Sequence, residues 1–191
     1  LCGVLVLLGL PAPPALAGPL IGLGVHLEPG RSELGAFLAA MKDLGISAIR
    51  SDYHWSATES GDGVLEPDPT LAQFEAAIAI AAERGVQPLL ILAYGHPNYD
   101  QGGYPTSPEA RAAFARYAGY VAQRFKGRVR HYQVWNEWNL GTGVPGAARG
   151  EGDAVAYAAL LRQAADAIKA VDPDAIVIAG SVAERDLRWI R

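Results

Sequence analysis

From residue 18 onward, short runs of Val, Ile and Leu alternate with longer stretches whose apolar positions recur every three or four residues. The runs fall at 20–26, 46–50, 87–94, 129–135 and 175–180, each of strand length and without helical period. Between them, 33–44 places Leu34, Phe37, Leu38, Met41 and Leu44 on one helical face, and 70–84 does the same with Leu71, Phe74 and Ile78. In 108–126 the stripe is Phe114, Tyr117, Val121 and Phe125; in 153–171 it is Tyr157, Leu160, Leu161, Ala164 and Ile168. Start and stop chemistry agrees. Asp68-Pro69, Ser107-Pro108-Glu109 and Asp153 open helices, and Gly85, Gly127 and Pro173 end them.

The order β-α-β-α-β-α-β-α-β predicts an α/β domain with a parallel sheet and helices packed outside it. A closed (β/α)₈ barrel and an open doubly wound sheet both fit that order. Connections entering the strands are short, whereas those leaving them, roughly 51–68, 95–106 and 137–152, are long. Barrel enzymes build their sites from loops at that end, although open sheets also bind ligands there. The open sheet lacks its usual mark: Gly22-Leu23-Gly24 sits inside a strand with no third glycine after it. The expected fold is therefore a (β/α)₈ TIM barrel of which strands 1 to 5 are present.

Residues 1–17 differ from the rest. They carry no charge, hold an apolar run from Val4 to Leu10, and end on Ala15-Leu16-Ala17, a small-x-small pattern of the kind a signal peptidase reads. The run is shorter than the ~20 residues a membrane span needs. A signal peptide remnant over 1–17 and a barrel segment over 18–191 are the expected organisation, with a secreted or periplasmic location and no membrane attachment after cleavage. A net charge of −4 with no basic run argues against nucleic acid as a partner.

The residues with chemistry to offer gather at strand ends. Val134-Trp135-Asn136-Glu137-Trp138-Asn139 closes the fourth run. Cleaving a glycosidic bond takes one carboxylic acid to protonate the departing oxygen and a second carboxylate to attack or to activate water. A hydrogen bond to the sugar 2-hydroxyl adds stabilisation in the transition state, and aromatic faces stack on sugar rings. Glu137, Asn136 and either Trp135 or Trp138 supply every part but the second carboxylate. A helix-capping Asn-Glu pair beside a core tryptophan explains the same residues equally well. The four histidines show no metal-ligand spacing, and the single cysteine, Cys2, allows no thiolate cluster, so no cofactor is expected. The three lysines, Lys42, Lys126 and Lys169, lie in helices or at their ends, which disfavours Schiff-base chemistry.

The segment resembles the Trp-Asn-Glu-Pro-Asn signature of clan A retaining glycosidases, most like glycoside hydrolase family 39 and related family 5-like barrel proteins. The run Arg50-Ser51-Asp52-Tyr53-His54-Trp55, with Glu59 and Gly63 after it, is similar to the R-x-D-x-x-W-x-x-x-E…G run that follows the second strand in that group. The resemblance implies a carbohydrate substrate and hydrolysis of O-glycosidic bonds with retention. Glu137 would be the acid/base, Asn136 the ligand of the 2-hydroxyl, and the nucleophile a Glu on a seventh strand beyond this chain. Arg50 would pair with the active-site carboxylates or their neighbours, or be held structurally beneath the loop. His96 at the end of the third run, and more weakly His26 at the end of the first, would donate to a hydroxyl or buttress a loop. Asp52, Trp55 and Glu59 are expected to organise the loop. Trp138 stands where the family has proline, which adds a possible stacking face. The competing reading is a barrel that binds polysaccharide without cutting it.

Overall fold

The computed structural model describes residues 21–25, 34–147 and 152–183. The expected signal segment and His26 lie outside these residues. Five strands, β1 (Gly22–Gly24), β2 (Ala48–His54), β3 (Gln87–Ala93), β4 (His131–Val134) and β5 (Ile176–Ala179), alternate with four helices. The helices are α1 (Leu34–Asp43), α2 (Pro69–Glu83), α3 (Pro108–Phe125) and α4 (Ala154–Val171). Every helix expected from the periodicity is present within one residue at each end.

All four strand pairings are parallel, and the order across the sheet is β1-β2-β3-β4-β5. That order decides between the two candidate folds. A doubly wound sheet reverses direction at a switch point and places β1 in its interior, whereas here each strand lies beside its sequence neighbours. The described chain is an arc of a (β/α)₈ barrel.

Side-chain alternation along the strands sets the two faces. Ile49, Tyr53, Leu90, Leu92, Tyr132 and Val134 are buried in one core with Phe74 and Ile78 of α2, Phe114, Tyr117, Val121 and Phe125 of α3, and Leu160 and Ile168 of α4. Tyr53 is the hub of this layer: its ring meets Phe74, Tyr117 and Phe125 at 5.5–6.5 Å between centroids. Its hydroxyl donates to Glu75, which Arg124 grips with two guanidinium nitrogens at 2.5 and 2.6 Å. Burial, followed by the bond to Glu75, drives the Tyr53 phenol far above its ordinary range. Strand two and helices two and three are thus locked through one side chain.

The caps act as the sequence indicates. Asp68 accepts from the Leu71 amide, Ser107 from Ala110, and Asp153 from Val155 and Ala156. Gly85 and Gly127 follow helices with φ of +79° and +80°, a conformation that costs other residues about 1 kcal/mol or more.

One boundary differs from expectation. The second run ends at Arg50 in the hydrophobicity pattern, yet β2 continues to His54 and stays paired with β3 through Ala93. Its last residues alternate Ser51 and Tyr53 outward with Asp52 and His54 on the opposite face, so polar residues of the inner face hide the strand. Asp52 is therefore a strand residue on the same face as Arg50, not a loop organiser.

Candidate active site

The inner face of β2 and the end of β4 carry the site. Arg50 projects from the middle of β2, where its guanidinium donates through Nε to Gln133 Oε1 at 3.0 Å and through Nη2 to Asn136 Oδ1 at 2.6 Å. Arginine offers only donors, so this bond fixes which end of the Asn136 amide is oxygen. Ser181 Oγ donates to the same Oδ1 at 2.5 Å, and Gln133 Nε2 approaches it at 3.4 Å. With its oxygen held on that side, Asn136 turns its NH₂ toward the Tyr94 hydroxyl, to which it donates. Arg50 is thus bound to two amides and to no carboxylate among the described residues.

The backbone around Glu137 is unusual in a way that matters. Trp135 completes the ladder with β3, its amide donating to the Leu92 carbonyl at 3.0 Å, and then adopts φ of +62°. Glu137 has φ of +50° and ψ of +46°. Left-handed backbone at bulky residues is disfavoured by about 1–2 kcal/mol each, and such conformations concentrate at sites where geometry is constrained by use. The effect is to break strand alternation. Burial pushes the Tyr94 phenol up to about 12, the Asp52 charge adds to this, and the Asn136 amide, Arg50 and Glu137 exert smaller effects.

Glu137 is half-buried at the rim. Its amide donates to the Ser181 carbonyl at 2.9 Å, and Oε2 accepts from Thr142 Oγ1 at 3.1 Å. Asn139, the last residue of the motif, is buried and exchanges two bonds of 3.1 Å with the backbone of Ala183, tying the rim loops after β4 and β5 together.

Three expected substrate ligands take other positions. Trp135 is fully buried, its Nε1 donating to the Thr142 carbonyl at 3.2 Å and its ring packed by Tyr94, Tyr104, Phe114 and Trp138. Trp138 is 2% exposed and sandwiched by Tyr104 at 4.3 Å and Tyr157 at 5.4 Å. Neither ring has a face open to a sugar; in a crowded loop, large aromatics satisfy their own burial first. His96 is 3% exposed. Its Nδ1 accepts from the Asn98 amide, which leaves Nε2 as the protonated nitrogen donating to the Glu59 carbonyl at 2.9 Å. His96 is a loop buttress, as is Glu59, whose carboxylate accepts from Trp55 Nε1 and Tyr99 Oη at 2.7 and 2.6 Å.

The sequence pattern singles out Arg50, Asn136 and Glu137, and the structure brings Arg50 and Asn136 into contact and sets Glu137 beside them. It does not single out Gln133, Thr142 or Ser181. Gln133 alone leaves a signal, a polar residue inside an otherwise apolar strand run.

The family model for cellulase (glycosyl hydrolase family 5) matches residues 20–188. Among solved structures, a family 39 glycoside hydrolase from the gut symbiont Bacteroides cellulosilyticus aligns with 26% identity and a TM-score of 0.65, over 83% of this chain and 31% of that one. An endoglucanase of Pseudomonas stutzeri aligns with 21% identity and a TM-score of 0.59, over 86% and 52%. A family 1 β-glucosidase from Thermotoga maritima aligns with 18% identity and a TM-score of 0.60, over 78% and 37%. The last two share the fold. The chain spans about a third to a half of the length of these structures. Among curated proteins none matches it.

Proposed function

The chain belongs to the cellulase family, glycosyl hydrolase family 5, and from that premise we propose that it contributes the acid/base half of a retaining glycosidase site acting on a poly- or oligosaccharide. The observation that carries this reading is the pairing of Glu137 at the rim with an Asn136 whose oxygen is held by Arg50 and Ser181, so that its NH₂ is the end left to face Tyr94 and a substrate. In the first step Glu137 gives its proton to the glycosidic oxygen as the C1–O bond breaks and its electron pair passes to that oxygen. An opposing carboxylate, on a part of the barrel outside these five strands, forms a bond to C1. In a retaining site the two carboxyl groups stand ~5–5.5 Å apart. In the second step water attacks C1, Glu137 takes the water's proton, and the opposing carboxylate leaves. Asn136 would donate to the 2-hydroxyl, a bond that strengthens as charge develops at C1. Export follows as part of the same proposal, resting on Ala15-Leu16-Ala17.

The test uses the full-length gene product and Glu137→Gln, assayed on a natural glycan and on a dinitrophenyl glycoside. General acid catalysis contributes about 10²–10⁴-fold, so the variant should lose about a thousandfold on the glycan. In kcat/KM, which reports the first step alone, it should stay within about tenfold of the parent on the activated substrate, whose leaving group needs no proton. Equal losses of kcat/KM on both substrates would remove Glu137 from the acid role. Glycan binding without any turnover would turn the reading to a non-catalytic, polysaccharide-binding barrel.

A further inference from the structure

Thr142 lies in the connection between β4 and α4, and three contacts fix it. Its Oγ1 donates to Glu137 Oε2 at 3.1 Å, and its carbonyl accepts from Trp135 Nε1 at 3.2 Å. The next residue, Gly143, has φ of +78° and lies so close to Tyr94 that a Cβ there would fall 2.1 Å from Cγ of the ring. Only glycine lets the loop come down onto Tyr94, and that approach sets the Thr142 hydroxyl over the carboxyl group. Glu137 Oε1, by contrast, takes no hydrogen bond among the described residues.

Resting on the acid/base reading of Glu137, we propose that Thr142 is a positioning residue that reserves Oε2 as an acceptor and makes Oε1 the oxygen that carries the transferable proton. A hydroxyl has one hydrogen to give. With that hydrogen directed at Oε2, a proton on Oε2 would confront it, so the neutral acid carries its proton on the unoccupied oxygen. When the proton leaves Oε1 for the glycosidic oxygen, the carboxyl becomes a carboxylate and the Thr142 bond becomes charge-assisted. Such bonds are about twice as strong as neutral ones. The hydroxyl therefore stabilises the state formed by proton transfer more than the state before it, which is the condition for accelerating a step. The contribution scales with how much proton transfer a leaving group demands.

The experiment compares the full-length parent, Thr142→Val, Thr142→Ser and Glu137→Gln on aryl glycosides of one sugar, from dinitrophenyl through nitrophenyl to unsubstituted phenyl. Valine keeps the shape and removes the hydroxyl; serine keeps the hydroxyl. Thr142→Val should match the parent within about twofold on the dinitrophenyl substrate and fall about tenfold in kcat/KM on the phenyl one, the size of one charge-assisted bond. Thr142→Ser should recover the parent's dependence on leaving group. A uniform loss across the series, no loss at all, or a serine variant as poor as valine would overturn the proposal. If valine prevents folding, Thr142→Ala in the same series carries the same expectation. Failure of the acid/base reading itself shows separately, as a Glu137→Gln variant without leaving-group dependence, and the Thr142 proposal falls with it.

Discussion

Replacing Arg50 with lysine tests how the site is held together. The guanidinium spans two amide oxygens at once, Gln133 Oε1 at 3.0 Å and Asn136 Oδ1 at 2.6 Å. Lysine keeps the charge but has a single nitrogen on a flexible stem and cannot reproduce the fork. Hydrogen bonds from charged donors contribute about 1.5–3 kcal/mol in general. Arg50 is only half-buried, and solvent screening brings the figure nearer 1 kcal/mol per bond. Losing one bond and weakening the other should therefore lower unfolding free energy by about 1–2 kcal/mol. The larger effect is on geometry. Without Arg50, Ser181 and the long contact from Gln133 alone hold the Asn136 oxygen, and the amide can rotate. Misplacement of about 1 Å at a site of this kind can cost about a hundredfold, so kcat/KM of Arg50→Lys should fall by 30- to 100-fold, roughly that scale. Because the proposed role of Asn136 runs through the 2-hydroxyl, a 2-deoxy glycoside should hide the defect, with parent and variant within about threefold of each other. Steady-state kinetics on the matched pair of substrates decide it. An equal loss on both, or near-parent activity on the hydroxylated sugar, would refute the chain of positioning from Arg50 to Asn136.

Two further predictions concern stability. Burial pushes the Asp100 carboxyl up, but the donors of Ser107 and Thr106, whose amides lie at 2.9 and 2.7 Å, outweigh it and hold the group below its ordinary range. A depressed folded value means a contribution present above the unfolded carboxylate pKa of about 4 and lost as pH falls through the folded one. Urea midpoints measured from pH 5 to pH 2.5 should therefore drop more steeply for the parent than for Asp100→Asn, and parallel slopes would contradict this. Trp138 carries an Nε1–H that is buried without a partner among the described residues. Its replacement by phenylalanine removes an unpaired donor that costs about 1–3 kcal/mol while losing apolar area of similar worth. Stability should change by about 1 kcal/mol or less, and KM for a glycan by no more than about twofold. A large rise in KM would return Trp138 to the substrate.

The parts of the fold legible in the sequence are those where one face of an element is buried. The stripes Leu71, Phe74, Ile78 and Phe114, Tyr117, Val121, Phe125 meet the outward residues of β2, β3 and β4, and that demand fixes period and boundary together. The inner face obeys another rule. Around the site it carries Arg50, Asp52 and Gln133, so the end of β2 loses the apolar signature just where function uses it. The motif around Glu137 is legible through its resemblance to a family signature, since its residue types alone leave a capping role equally open, and its supports are not legible at all. Ser181 and Ala183 meet Asn136 and Asn139 from about 45 positions away, and no local spacing announces a partner at that range. The tryptophans show the limit of reasoning by residue type. An indole can stack on a sugar, but here both rings lie beneath the turn and support it. That support explains why the turn holds. Left-handed backbone at Trp135 and Glu137 costs about 1–2 kcal/mol per residue, and the burial of Trp135 and Trp138, each worth about 2 kcal/mol or more, offsets it. The aromatic cluster is what allows the chain to leave strand geometry at once after β4, with Asn136 held by Arg50 and Ser181 and Glu137 by Thr142.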